Sequence, residues 1–509
     1  MKITSYKLIL FLVINSMLFS CNTQKEKVKE QKQPNILWIF AEDLSPFMGC
    51  YGDSINKNAT PAIDKLASEG VLFNRAYTTA PVCSAARSAL ITGVMQTTTG
   101  THNHRSSRVP DVVVPEALRI NLPDGMKTIP ELMREAGYFT FNNGKDDYNF
   151  HYNRRDLYTV STKDDYKPGM NGWQGNFPKH KMSATQDAWS SRPDKNQPWF
   201  GQIQIDGGKA HAKYVREGEV LADNAVPVPP YFPNIPSQQS AWTDHYNANR
   251  GADVNVETIL KQLEADGELE NTIIFFFSDH GSPVSLRHKQ FCYEGGMLVP
   301  LMIKGNLPVL KSGTIRNDLV SLLDISATTL AMGKAKMPEY LDGQDLFAET
   351  FNEQEYVIGA RDRCDYTIDR IRTVVSEDYR YIKNFYPNRP MMQAGYRDKK
   401  AIVKDLKKAY NEGKLTPYQA EHWFGVRPVE ELYDLKADPH QINNLANNSE
   451  FATILKEHRD VLENWIKETD DKGQYPEDAA QLEATYNLWK DRPRFKNAKV
   501  NPEYDQFKK

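Results

Sequence analysis

The chain has 509 residues, 40% hydrophobic and 25% charged, which is more than one ordinary core accommodates, so a large domain with a smaller companion is the default. A formal net charge of -3 and a sequence pI of about 6.4 exclude the broad basic surface of a nucleic-acid binder, and any anionic ligand must meet a local basic site. The five cysteines, Cys21, Cys50, Cys83, Cys292 and Cys364, form no CxxC pair and no zinc-like spacing, so neither a full disulfide framework nor a zinc site is implied.

Lys2 and Lys7 precede an apolar run over 8–18, followed by Leu18-Phe19-Ser20-Cys21. This is the order of a bacterial secretory signal, 1–20, and its apolar run is short for a membrane span. Cys21 directly after Ser20 resembles the lipobox of bacterial lipoproteins, in which that cysteine carries the lipid. The expectation is an exported protein anchored by Cys21 to a membrane of the bacterial cell envelope. Residues 21–33, rich in Lys, Glu and Gln, read as a polar tether, with folding expected to begin near Pro34.

Asn35-Ile36-Leu37-Trp38-Ile39-Phe40 is continuously apolar, as in a strand buried on both faces of a helix-covered sheet. It stops at Glu42-Asp43. Three later runs behave alike: residues 138–141 lead to Gly144-Lys145, 199–205 to Asp206-Gly207-Gly208-Lys209, and 271–277 to Ser278-Asp279-His280-Gly281. Helical patterns lie between them, at 128–136 and 246–263, and such alternation predicts an α/β core with a mostly parallel central sheet. Ligands of such sheets bind beyond the carboxyl ends of the strands.

Pro81-Val82 followed by Cys83-Ser84-Ala85-Ala86-Arg87 and Gly93 predicts a short helix starting at Cys83 and ending at Gly93. Its free N–H groups and positive dipole end suit sulfate or phosphate chemistry, and Arg87 returns to the face of Cys83. A buried structural cysteine on an Ala-rich helix is the competing reading of this stretch alone. The pairs Glu42-Asp43 and Asp279-His280 supply three carboxylates and an imidazole, a donor set for Ca²⁺ first, with Mg²⁺ or Mn²⁺ behind it. His104 and Arg105, in the loop after the helix, read either as part of a solvated loop or as the lining of a substrate pocket.

The polar segment 349–355 marks the expected boundary between a domain over 34–350 and a C-terminal subdomain over 351–509. The latter carries strand-like pieces at 372–375 and 379–382. It also carries a helix over 451–469, with Ile454, Leu455, Val461, Leu462, Trp465 and Ile466 on one stripe.

With these residues in place, the chain resembles the type I sulfatases of the alkaline phosphatase superfamily. The likeness is carried by Cys83-Ser84-Ala85-Ala86-Arg87 with Thr92-Gly93, and by Lys289, Tyr293-Glu294-Gly295-Gly296 and Val299-Pro300. Within the family it looks most like the N-sulfoglucosamine sulfohydrolase branch. That likeness rests on residues 230–236, Glu431-Leu432-Tyr433-Asp434, Asp438-Pro439-His440 and Asn444-Leu445-Ala446. The resemblance implies an alkaline-phosphatase-like large domain and a smaller α+β subdomain with a short antiparallel sheet and a packed helix. It implies that Cys83 is converted to formylglycine by a formylglycine-generating or anaerobic sulfatase-maturating enzyme. One hydroxyl of the aldehyde hydrate attacks sulfur, and the other drives collapse of the sulfated hemiacetal and release of sulfate.

By the same match, Glu42, Asp43, Cys83, Asp279 and His280 hold Ca²⁺, and Arg87, Lys145 and Lys289 bind the sulfate oxygens. The family's two catalytic histidines are missing here: one falls at Asp147, a candidate base, and the other near Lys209, with His211 two residues on, as candidate acids. A lysine acid needs a depressed pKa near neutrality. The expected substrate is a sulfated polysaccharide, heparan-like or algal. Two rivals stand beside this reading: a phosphonate or phosphodiester hydrolase, motivated by His280, and an inactive glycan-binding lipoprotein.

Overall fold

Alternate residues of the first apolar run serve opposite cores. In β1 (Asn35–Ala41), Ile36, Trp38 and Phe40 pack into one hydrophobic cluster while Leu37, Ile39 and Ala41 pack into another. The helices Ile129–Glu135 and Leu323–Met332 cover the first face, and Pro61–Ser68 and Pro236–Ala265 the second. A strand clad on both sides has no use for polar alternation, which explains its continuous apolar sequence. Each large apolar side chain so buried contributes roughly 1.5–3 kcal/mol. The computed structural model describes residues 32–107, 113–161, 188–492, 495 and 501–508. The expected signal and Cys21 lie outside the described residues, and among these no helix is long and apolar enough to cross a membrane.

The large sheet continues with β2 (Val71–Tyr77), β3 (Phe139–Asn143), β4 (Val160–Ser161), β5 (Trp199–Ile205), β6 (Thr272–Ser278), β7 (Leu298–Lys304), β8 (Thr314–Arg316) and β9 (Val320–Ser321). Its order is β4-β3-β5-β1-β6-β7-β2-β8, with β9 also on β2, and only β7 runs against its neighbours. The expected mostly parallel α/β sheet is therefore present. The four runs singled out for their charged ends are the consecutive strands β3, β5, β1 and β6. Ala41 pairs with both Ile205 and Ser278, and Asn143 pairs with Ile203, so the four carboxyl ends finish nearly level.

A second sheet of β10 (Val357–Arg361), β11 (Ile371–Val375), β12 (Tyr379–Asn384) and β13 (Glu430–Asp434) is antiparallel in chain order. The helix Ala452–Glu468 lays Leu455 and Leu462 on Val374, Tyr381 and Leu432, using the stripe read from sequence. The long helix starts at Pro236, earlier than its apolar pattern suggested, because proline needs no N–H at the first helical position.

Candidate active site

The helix Cys83–Thr92 begins and ends where the sequence indicated. Val82 is extended, Ala86 N–H closes the first turn on Val82 O at 3.1 Å, and Gly93 ends the helix at φ 71°. All ten residues are buried, so the helix is a core element whose N-terminus abuts the level strand ends. The Cys83 Sγ lies 3.6 Å from Asp43 Oδ1, 3.2 Å from His280 Nε2 and 3.2 Å from Lys289 Nζ. Asp43, Cys83, Asp279 and His280 offer ligand atoms within 4.8 Å of one another, a buried group able to hold a metal ion. Two carboxylates and an imidazole of neighbouring loops fit a divalent cation with a preference for oxygen.

Glu42 stands beside this group rather than in it. Its carboxylate pairs with Lys145, with Lys209 at 2.9 Å and with Arg87 at 3.5 Å. Arg87 is buried to 1% exposure and is anchored on four sides: Nε donates to Asp279 Oδ2 at 2.9 Å, Nη1 donates to Gln204 Oε1 at 2.8 Å and to the Lys145 carbonyl, and its guanidinium lies 4.1 Å over the Phe40 ring. Lys289 Nζ donates to both Asp43 oxygens, at 3.0 and 2.8 Å. Four carboxylates, of Glu42, Asp43, Asp147 and Asp279, thus face four fixed cations, of Arg87, Lys145, Lys209 and Lys289.

These contacts set the protonation states. Burial alone would raise the Asp43 and Glu42 carboxyls, but Lys209 and Lys289 around Asp43, and Lys145, Lys209 and Arg87 around Glu42, hold both well below the ordinary range. Burial likewise opposes ionisation of the Cys83 thiol, and Lys145 and Lys289 override it and bring it down to about 7. Burial would discharge His280; the Asp279 and Asp43 carboxylates lift it to about 10 instead.

The candidate acids part company. Lys209 reaches into the cluster, 3.6 Å from Asp43 as well as bonded to Glu42, and those carboxylates raise it against burial. A proton donor near neutrality needs the opposite shift. His211 is 55% exposed, with Nδ1 2.9 Å from Asp244 Oδ2. Asp147, at φ 54°, sits 3.2 Å from Lys145 Nζ and 3.9 Å from Arg105 Nε. His104 is buried, neutral and bonded through Nδ1 to Ser84 Oγ at 2.7 Å, and Arg105 donates its backbone N–H to the same hydroxyl at 3.2 Å. The loop after the helix is therefore tied to the residue next to Cys83, with the Arg105 side chain partly exposed above it.

Sequence reasoning missed Gln204 and Ser84. Gln202 and Gln204, two apart in a fully buried strand, were a signal of paired polar work on one face. Ser84 carried no such mark.

A family model for sulfatases matches residues 34–334. The chain belongs to the sulfatase family. An ulvan-active sulfatase of Formosa agariphila is 31% identical over 475 residues, covering 89% of this chain and 78% of that protein. Human N-sulphoglucosamine sulphohydrolase is 26% identical, covering 86% and 90%. Among solved structures, a phosphonate monoester hydrolase from Silicibacter pomeroyi superposes with a TM-score of 0.60 at 15% identity, covering 87% of this chain and 96% of that one. The fold is thus the alkaline-phosphatase-like fold of the sulfatases, and the chain is a sulfuric ester hydrolase.

Proposed function

We propose that this sulfatase releases sulfate from a sulfated polysaccharide or its oligosaccharides, using a bound Ca²⁺ and a formylglycine made from Cys83. The observation that carries the reading is the convergence of Cys83, at a helix N-terminus, with Asp43, Asp279, His280 and Lys289 on one buried point. Asp43, Asp279, His280 and residue 83 would hold the ion, which when bound supplies Lewis acidity toward a hydroxyl and a sulfate oxygen. Glu42 would support that set from beside it, holding Lys145 and Lys209.

The chain's own residues do the rest. Lys289 and Lys145 present ammonium groups beside position 83, where charge on the sulfate oxygens develops. Arg87 fixes Asp279, and Asp147, placed between Lys145 and Arg105, accepts a proton. His211, oriented by Asp244, donates one to the departing sugar oxygen. His104 acts at one remove, orienting the substrate-facing Arg105 through Ser84.

The names of the Formosa and human relatives support a glycan substrate, ulvan-like or heparan-like. The leader supports export and lipidation of Cys21 in the cell envelope, with catalytic residues in 34–350 and a supporting subdomain over 351–509. Maturation requires a formylglycine-generating or anaerobic sulfatase-maturating partner. The mass of the Cys83 peptide from the native host, followed by sulfate release across defined heparan, ulvan and carrageenan oligosaccharides, tests the reading. We expect the aldehyde mass and release from one class; an unmodified cysteine in active protein overturns the mechanism. His280 favours one alternative, a phosphonate or phosphodiester hydrolase, which requires faster turnover of nitrophenyl phosphate esters than of nitrophenyl sulfate.

A further inference from the structure

The lysine that touches residue 83 stands on an awkward stretch of backbone. Gln290, directly after Lys289, holds φ at 77°, in the left-handed region that a residue with a Cβ seldom adopts. Such a conformation persists only where its surroundings over-determine it. Two tethers act through N–H groups: Lys289 N–H donates to Ser282 O at 3.2 Å, and Gln290 N–H to Pro81 O at 2.7 Å, two residues before Cys83. The carbonyl side is held from elsewhere.

Arg397 lies between β12 and the helix Ala401–Asn411 and is buried to 6% exposure. Its Nη1 donates to Ser285 O at 3.2 Å, and its Nη2 donates to Lys289 O at 3.2 Å and to Gln290 Oε1 at 3.1 Å. One planar fork thus pins both ends of the segment 285–290, a span that a point-like ammonium does not cover. The fork is itself held in place: the Arg397 carbonyl accepts Lys400 N–H at 2.8 Å, and Asp398 Oδ2 accepts Gly395 N–H at 3.1 Å, closing the turn around it.

All three acceptors are neutral, and among the described residues Arg397 makes no ion pair. A buried cation without an anion is unfavourable, and a neutral side chain would fill the space with less penalty. What the charge adds is strength in the bonds to the two carbonyls, which stiffens the peptide that carries Lys289. That lysine has little room to move: its Nζ serves both Asp43 oxygens, at 3.0 and 2.8 Å, and Cys83 Sγ at 3.2 Å. A misplacement of about 1 Å at a reacting group can cost about 10²-fold in rate.

We infer that Arg397 is a positioning residue for sulfate release, fixing the backbone of Lys289 so that its ammonium stands beside residue 83. The inference rests on the sulfate-binding role given to Lys289 above.

A double-substitution cycle on the matured full-length protein tests it, read in kcat and KM for nitrophenyl sulfate and, independently of turnover, in Kd for inorganic sulfate. Arg397→Gln should lower kcat/KM by about 10- to 100-fold and weaken sulfate binding about tenfold, with Arg397→Lys, which keeps the charge without the fork, recovering only part. In a Lys289→Ala background the same substitution should change either quantity by less than about twofold, whereas in a Lys145→Ala background its full effect should remain. An undiminished effect in the Lys289→Ala background, or its disappearance in both backgrounds, overturns the inference, because Arg397 then acts on the fold or on the site as a whole. Full recovery in Arg397→Lys overturns it too, by moving the effect from the fork to the charge. Lys289→Ala without effect on turnover or sulfate binding removes the role of Lys289, and the inference with it; a loss there, with Arg397→Gln purely additive, removes the inference alone. Should Arg397→Gln fail to fold by circular dichroism, Gln290→Gly, which relieves the left-handed backbone and deletes the Oε1 acceptor, decides with Arg397→Lys by the same cycle.

Discussion

At the scale of single residues, the site turns on which groups are held charged and which can exchange a proton. Lys209 is locked between Glu42 and Asp43, and losing its proton would leave two buried carboxylates short of a partner. His211 has no such restraint beyond Asp244. His211→Ala should therefore slow sulfate release from a glycan, whose alkoxide leaves poorly, by about 10²-fold, and leave nitrophenyl sulfate, whose phenolate needs no acid, nearly untouched. Equal losses on both substrates would take the leaving-group role from His211. The CSAAR stretch was legible because the chemistry and the helix signals coincide within one decapeptide. Ser84 was not: its pairing with His104 spans twenty positions, across the rest of the helix and the loop after it, a range that no local propensity describes.

At the scale of elements, the four strand ends were readable because each run stops abruptly at charge, and the order β3-β5-β1-β6 then brings those ends into register. The order itself was hidden, since pairs such as Arg87 with Asp279 join positions 192 apart and sequence periodicity carries no information at that range. The second sheet shows what ties such distant pieces. Glu430 on β13 accepts from Arg459 on the docked helix at 2.8 and 2.9 Å, and from the Tyr381 hydroxyl on β12. Its bond to Arg459, working against partial burial, lowers it from 4.5 to about 2. A depressed carboxyl stabilises the fold above its unfolded value and loses that contribution as pH falls through its folded one. The helix should thus loosen between about pH 4.5 and 2, by about 1 kcal/mol after screening at this partly exposed pair. Glu430→Gln should cost that amount at pH 7 and flatten this step in an acid melt; an unchanged acid profile would place the dependence elsewhere.

At the scale of the molecule, the sheet and its helices converge on a point rich in charge of both signs, and the divalent ion proposed there would contribute to the stability of the whole. At a concentration a hundred times Kd a ligand specific for the folded state adds about 2.7 kcal/mol. EGTA should accordingly lower the melting temperature by a few degrees and abolish turnover, with Ca²⁺ restoring both; a melt and rate indifferent to chelation would exclude the ion. The same enclosure bears on time as well as energy. Cys83 is 1% exposed, flanked by buried helix residues and screened by Lys289 and His280. No second enzyme can reach its sulfur once the fold has closed. On the formylglycine reading proposed above, oxidation would have to precede folding, so the rate of collapse would set a deadline for maturation, and a chain that folded too early would be committed to a thiol where that mechanism needs a hydrate.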